Sequence, residues 1–74
     1  MGFKITKLEE VTGMNKIREL RENKKMTQDR LGKLVGVSRS TVAKWESGEN
    51  MPRVRQLISL ASVFNVKVDA LLRQ

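Results

Sequence analysis

If residues 38–47 are helical, Val42 and Trp45 stand three apart on the inward side, and a turn of 100° per residue gathers Ser40, Ala43, Lys44 and Ser47 opposite them. Arg39 sits on the flank, and its length lets it reach round to the same face. Cationic and hydroxyl donors beside a bare methyl group have the chemistry to read the edges of DNA bases. Trp45, at helical spacing from Val42, is expected in the core and not stacked on a base. Other chemistries lack their parts. The chain has no histidine and no cysteine, so it supplies no thiolate or imidazole metal ligand and no imidazole base for Ser38, Ser40 or Ser47. With its remaining acids dispersed, no enzymatic role, no metal and no cofactor are expected.

The outward face needs two helices to hold it. Thr27 is suited to N-cap the first, its hydroxyl accepting from an orphan backbone N–H, and Leu31, Leu34 and Val35 set the apolar face at spacings of three and four. That helix ends near Val35. Gly36 supplies the turn through positive φ, Val37 points back inward, and Ser38 caps a second helix that runs to Ser47 and stops at Gly48. Around this pair the periodicity predicts three more helices. One spans Met14 to about Lys24, with Met14, Ile17 and Leu20 on one side and Lys16, Arg18, Glu19 and Glu22 mostly outward. After a loop of Glu49, Asn50 and Met51, Pro52 suits the entry to a helix whose broad apolar stripe is Val54, Leu57, Ile58, Leu60, Ala61 and Phe64. Asn65 can end it, and residues 66–72 read as a short final helix with more apolar surface than a monomer of this size needs. Residues 1–13 fit neither period, since Phe3 and Ile5 suit a strand while Leu8 and Val11 suit a helical turn, so they read as an N-terminal extension, strand or flexible tail. Residues 14–74 form the domain.

Site by site, the stretch from Thr27 to Gly48 resembles the helix-turn-helix of the phage-repressor and Cro type, the Xre-like transcriptional regulators. Gln28 stands where that family commonly has Gln, while Leu31, Val35, Val37, Val42 and Trp45 fall on its apolar sites. Gly36 takes the turn glycine, and Gly32 takes the small-residue site where the two helices approach. The family more often has Ala there, so Gly32 is expected to loosen its helix by roughly 1 kcal/mol without changing the docking. Arg30 stands where the carboxylate of a capping box is usual. The likeness extends from about Asn15 to Leu72 and implies an all-α, compact five-helix bundle with the lambda-repressor-like DNA-binding fold. It also implies residue roles. The third helix would lie in the major groove, with base contacts from Arg39, Ser40, Lys44 and Ala43. A guanine O6 and N7 suit Arg39, another guanine suits Lys44, and a thymine methyl suits Ala43. Phosphate contacts would come from Gln28, Ser38, Ser47 and Arg53, with Lys16, Lys33 and Arg55 weaker. Arg21 would pair with Glu46 as a structural ion pair that ties the first helix to the third.

Composition agrees with this. Seventy-four residues make one domain, and fifteen basic against eight acidic residues give a net charge of +7, which favours a polyanion. The charge lies around the motif. From Lys16 to Arg55 there are eleven Lys and Arg against five acids, a balance of +6, whereas residues 1–15 sum to zero and residues 56–74 to +1. No apolar run is long enough for a bilayer span, and the N-terminus lacks the apolar core of a signal peptide, so a soluble, cytoplasmic protein with no membrane partner is expected. The expected function is a sequence-specific double-stranded DNA-binding regulator, a repressor acting on a palindromic operator as a homodimer joined through Val66 to Leu72, without a small-molecule effector. The alternative is an antitoxin or other interaction module that binds DNA for autoregulation, which a toxin-like reading frame beside its gene would favour.

Overall fold

Two short polar side chains set the starts of the central helices. In a computed structural model, which describes residues 15–72, Thr27 and Ser38 are N-caps in extended conformation, accepting from the backbone N–H of Arg30 and Thr41. The chain forms α1 (Asn15–Asn23), α2 (Gln28–Val35), α3 (Arg39–Ser47), α4 (Val54–Phe64) and α5 (Val68–Leu72), and no strand among the described residues. Gly36, Gly48 and Asn65 close α2, α3 and α4 in the left-handed region, so each helix ends at the residue best able to adopt positive φ there. Lys25 does the same after α1 at φ 59°, a turn without glycine or asparagine that the sequence did not signal.

The core lies where the helices converge. Ile17 of α1, Leu31 of α2, Val42 and Trp45 of α3, Leu60 of α4 and Leu71 of α5 are almost wholly shielded, with Leu57, Ala61 and Phe64 completing the cluster. Every helix therefore contributes an apolar side chain to one core. Met14, expected on the first helix, lies outside the described residues, as does the whole extension 1–13.

Four features differ from the sequence expectation, the first being Leu34, expected on the apolar face of α2 but 43% exposed. The stripe on α4 is narrower than its apolar content, because Val54 is 73% and Ile58 58% exposed while Leu57, Leu60, Ala61 and Phe64 face inward. Pro52 precedes the cap and does not open α4; Arg53 is the N-cap, and the Gln56 side chain returns to accept from the Arg53 N–H at 2.8 Å. This is half a capping box, with the acceptor supplied from the helix side only. Gly32 is required by more than smallness. A Cβ at that position would lie 2.6 Å from the Val37 carbonyl oxygen and 3.2 Å from the Ser38 carbonyl group, so the turn runs directly over the glycine. The Val37 N–H also donates to the Gly32 carbonyl at 2.9 Å.

Candidate nucleic-acid interface

The face of α3 is built by exclusion. Val42, Trp45 and Glu46 are buried, which leaves Arg39, Ser40, Lys44 and Ser47 exposed and Ala43 half-buried. Around the start of α3 the structure gathers a group of hydroxyls. Ser38 Oγ accepts from Thr41 N at 3.1 Å and lies 3.1 Å from Ser40 Oγ and 2.9 Å from Thr41 Oγ1. The expected phosphate contact at Ser38 and base contact at Ser40 are thus linked to each other, and Thr41, unmarked in the sequence reading, joins them. Its signal was its place three residues after an N-cap serine.

At the other end of α3, Ser47 Oγ donates to the Lys44 carbonyl at 3.1 Å and accepts from Glu49 N at 3.3 Å. Its one proton is engaged in closing the helix, so a phosphate contact there would require the hydroxyl to turn away from Lys44. Arg53 is exposed at the start of α4. Of the weaker candidates, Lys33 is paired with Asp29 at 3.3 Å and Lys16 with Glu19 at 3.7 Å, both one turn away on their own helices.

Behind this face a buried carboxylate organises three elements. Glu46 of α3 accepts from Arg21 Nε at 2.7 Å on Oε2 and from Arg21 Nη2 at 3.1 Å on Oε1, so the guanidinium of α1 grips it with two parallel bonds. Arg21 Nη1 continues to the Met26 carbonyl at 2.7 Å, tying in the loop that leads to Thr27. Gln28, expected as a phosphate clamp, is half-buried, and its Nε2 donates to Glu46 Oε1 at 3.1 Å. Arg18 Nε reaches the same oxygen at 3.5 Å. Sequence reasoning missed Arg18, although it stands one turn before Arg21 on the same side of α1. Burial pushes the Glu46 carboxyl up, but the hydrogen bonds from Arg21, Gln28 and Arg18 and the charge of Arg21 together hold it below the usual carboxylate range. The bond to Glu46 raises Arg21 more than burial lowers it. Both groups therefore stay charged at neutral pH.

Comparison with known proteins places this arrangement. Residues 17–71 match the helix-turn-helix family. The chain is 39% identical over 57 residues to the transcriptional activator BcrR of Enterococcus faecalis, a match that covers 77% of this chain and 28% of the activator. An uncharacterized helix-turn-helix transcriptional regulator of Archaeoglobus fulgidus is 41% identical over 56 residues, covering 76% of this chain and 80% of the relative. Among solved structures, the phage P22 c2 repressor in complex with a synthetic operator superposes with a TM-score of 0.77 at 36% identity, over 80% of this chain and 89% of that one. The chain thus spans little more than a quarter of the activator and most of the other two.

Proposed function

The chain belongs to the helix-turn-helix family, and from that premise we propose that it is a sequence-specific double-stranded DNA-binding transcriptional regulator, a repressor that presents α3 to the major groove. The observation that carries this is the division of α3, whose inward side is locked by Val42, Trp45 and Glu46 while Arg39, Ser40 and Lys44 remain available on the outside. In a groove, Arg39 would choose a guanine through two parallel bonds, Lys44 a second guanine one turn on, and Ser40 would tolerate several bases. Ala43, half-buried, keeps a methyl for a thymine. Gln28, Ser38 and Arg53 would hold the backbone, with Ser47 a weaker contact because its proton already serves Lys44. The likeness to a repressor bound to an operator supports this docking. Cytoplasmic localisation follows from the role.

One small domain makes few base contacts, so operator selectivity calls for two copies on half-sites roughly 34 to 36 Å apart. The palindromic operator and the two-fold dimer are part of this proposal. The test is selection of bound sequences from a random duplex library with the natural chain, Arg39→Ala and Gln28→Ala. Arg39→Ala should relax one base position, whereas Gln28→Ala, which removes a neutral donor, should weaken all duplexes alike and leave the salt dependence unchanged. An unchanged base preference in Arg39→Ala would refute the readout assignment.

A further inference from the structure

Resting on the DNA-binding reading, we infer that Arg18 is a further DNA-backbone contact, a phosphate-binding guanidinium held beside Gln28 by their shared acceptor Glu46. Two arginines surround one buried carboxylate, and they are not equivalent. Arg21 is fully engaged. Its Nε and Nη2 grip Glu46, its Nη1 holds the Met26 carbonyl, and only 11% of its side chain is exposed. Glu22 lies 3.9 Å from Arg21 Nη2 and belongs to that arginine's surroundings.

Arg18 has a different standing. It touches Glu46 through Nε alone at 3.5 Å, beyond the 2.7–3.2 Å typical of a good N–H···O bond, and 56% of its side chain is exposed. Its Nη groups make no hydrogen bond or ion pair with another described residue. The carboxylate is already satisfied by Arg21 and Gln28, so Arg18 is the surplus cation of the cluster and can turn to an anion without leaving Glu46 unpaired. Its position follows from the same atom. Arg18 Nε and Gln28 Nε2 both lie within 3.5 Å of Glu46 Oε1, so the guanidinium and the amide that opens α2 are neighbours. A phosphate gripped by Gln28 is therefore within reach of Arg18. Because both donors hang on one buried carboxylate of α3, the backbone contact is fixed relative to the helix that reads bases. Arg18 would then serve register as well as affinity.

The test measures duplex affinity of the whole chain against salt concentration for the natural protein, Arg18→Gln, Arg18→Lys and, as an exposed cation between α4 and α5, Lys67→Gln. Removing one phosphate contact should lower the slope of log affinity against log salt by about 0.9 in Arg18→Gln. The slope should be unchanged in Arg18→Lys and Lys67→Gln, and base preference unchanged in all of them. A role confined to pairing with Glu46 would instead leave the slope intact and move only the melting temperature. For so exposed a partner that shift should be no more than about 4–8 °C. A natural slope in Arg18→Gln, or loss of its folded state, overturns the assignment and makes Arg18 scaffolding. Failure of the natural chain to bind any duplex would overturn the DNA-binding reading itself.

Discussion

Glu46 is the residue on which most depends. Its carboxylate, 1% exposed, takes bonds from Arg21, Gln28 and Arg18. Deleting Arg21 removes both bonds of the bidentate pair and leaves the buried carboxylate with only Gln28 and the long contact to Arg18, at a cost of up to about 3–5 kcal/mol. A domain of this length holds roughly 4–11 kcal/mol in total, so Arg21→Ala should lose a large share of its stability, which chemical denaturation monitored by circular dichroism would measure as a lower midpoint. A melting curve like that of the natural chain would show that the pair contributes little. The same carboxylate sets an acid limit. Its folded pKa lies below the ordinary value of about 4.3, so its contribution is present above that value and is lost as pH falls through the lower folded one. The natural chain should lose stability steeply below about pH 4, and Glu46→Gln, less stable at neutral pH, should show a shallower loss there. Arg21, raised further above an already high value, adds no dependence in this range. From the sequence the Arg21–Glu46 pairing was expected through family resemblance. The two further donors were not, because Gln28 and Arg18 lie 18 and 28 residues from Glu46 and nothing local joins them.

At the scale of elements, the start and stop of α2 and α3 and the stop of α4 were legible residue by residue, whereas the Lys25 turn after α1 and the Arg53 cap of α4 were not. Thr27, Ser38, Gly36, Gly48 and Asn65 all act where their chemistry predicts, because capping is decided within four residues. The joint between α2 and α3 was not legible. Gly32 reads as a small residue that weakens a helix, yet the Val37 carbonyl would meet its Cβ at 2.6 Å. Gly32→Ala should therefore gain about 1 kcal/mol in helix propensity and lose it again, or more, in moving the turn. Thermal unfolding should give an equal or lower melting temperature, and a clear rise would mean that the turn yields freely. Since Val37 and Ser38 lead directly into α3, the shift should also weaken DNA binding.

For the molecule as a whole, charge and packing answer different questions. The +7 balance draws the chain to polyanions, and the core, with a side chain from every helix, holds one face of α3 outward. Of the segment 66–72 expected to join two copies, Leu71 is buried in the core and Val66 and Val68 pack against it, which leaves Leu72 exposed. Val54 and Ile58, four residues apart on α4, are exposed as well. Leu34 and Met51 are the other large apolar side chains exposed among the described residues, and in the proposed dimer we assign the contact to Val54, Ile58 and Leu72, which continue from the 66–72 segment expected to join two copies. Sedimentation on a two-half-site duplex should give two protomers per DNA, with Ile58→Asp and Leu72→Asp together reducing this to independent half-site binding. A strict monomer on such DNA would sink the dimer. No helix among the described residues is long and apolar enough to cross a membrane. By itself the sequence determined the five helices, the caps at Thr27, Gly36, Ser38, Gly48 and Asn65, most of the apolar residues of the core and the outward face of α3, because each rests on periodicity and on contacts within one turn of helix. Only the tertiary structure decided that Gln28 and Arg18 converge on Glu46, that Gly32 lies under a carbonyl, and that Val54 and Ile58 stay outside. Those outcomes depend on how one helix lies against another, and no spacing along the chain encodes that directly.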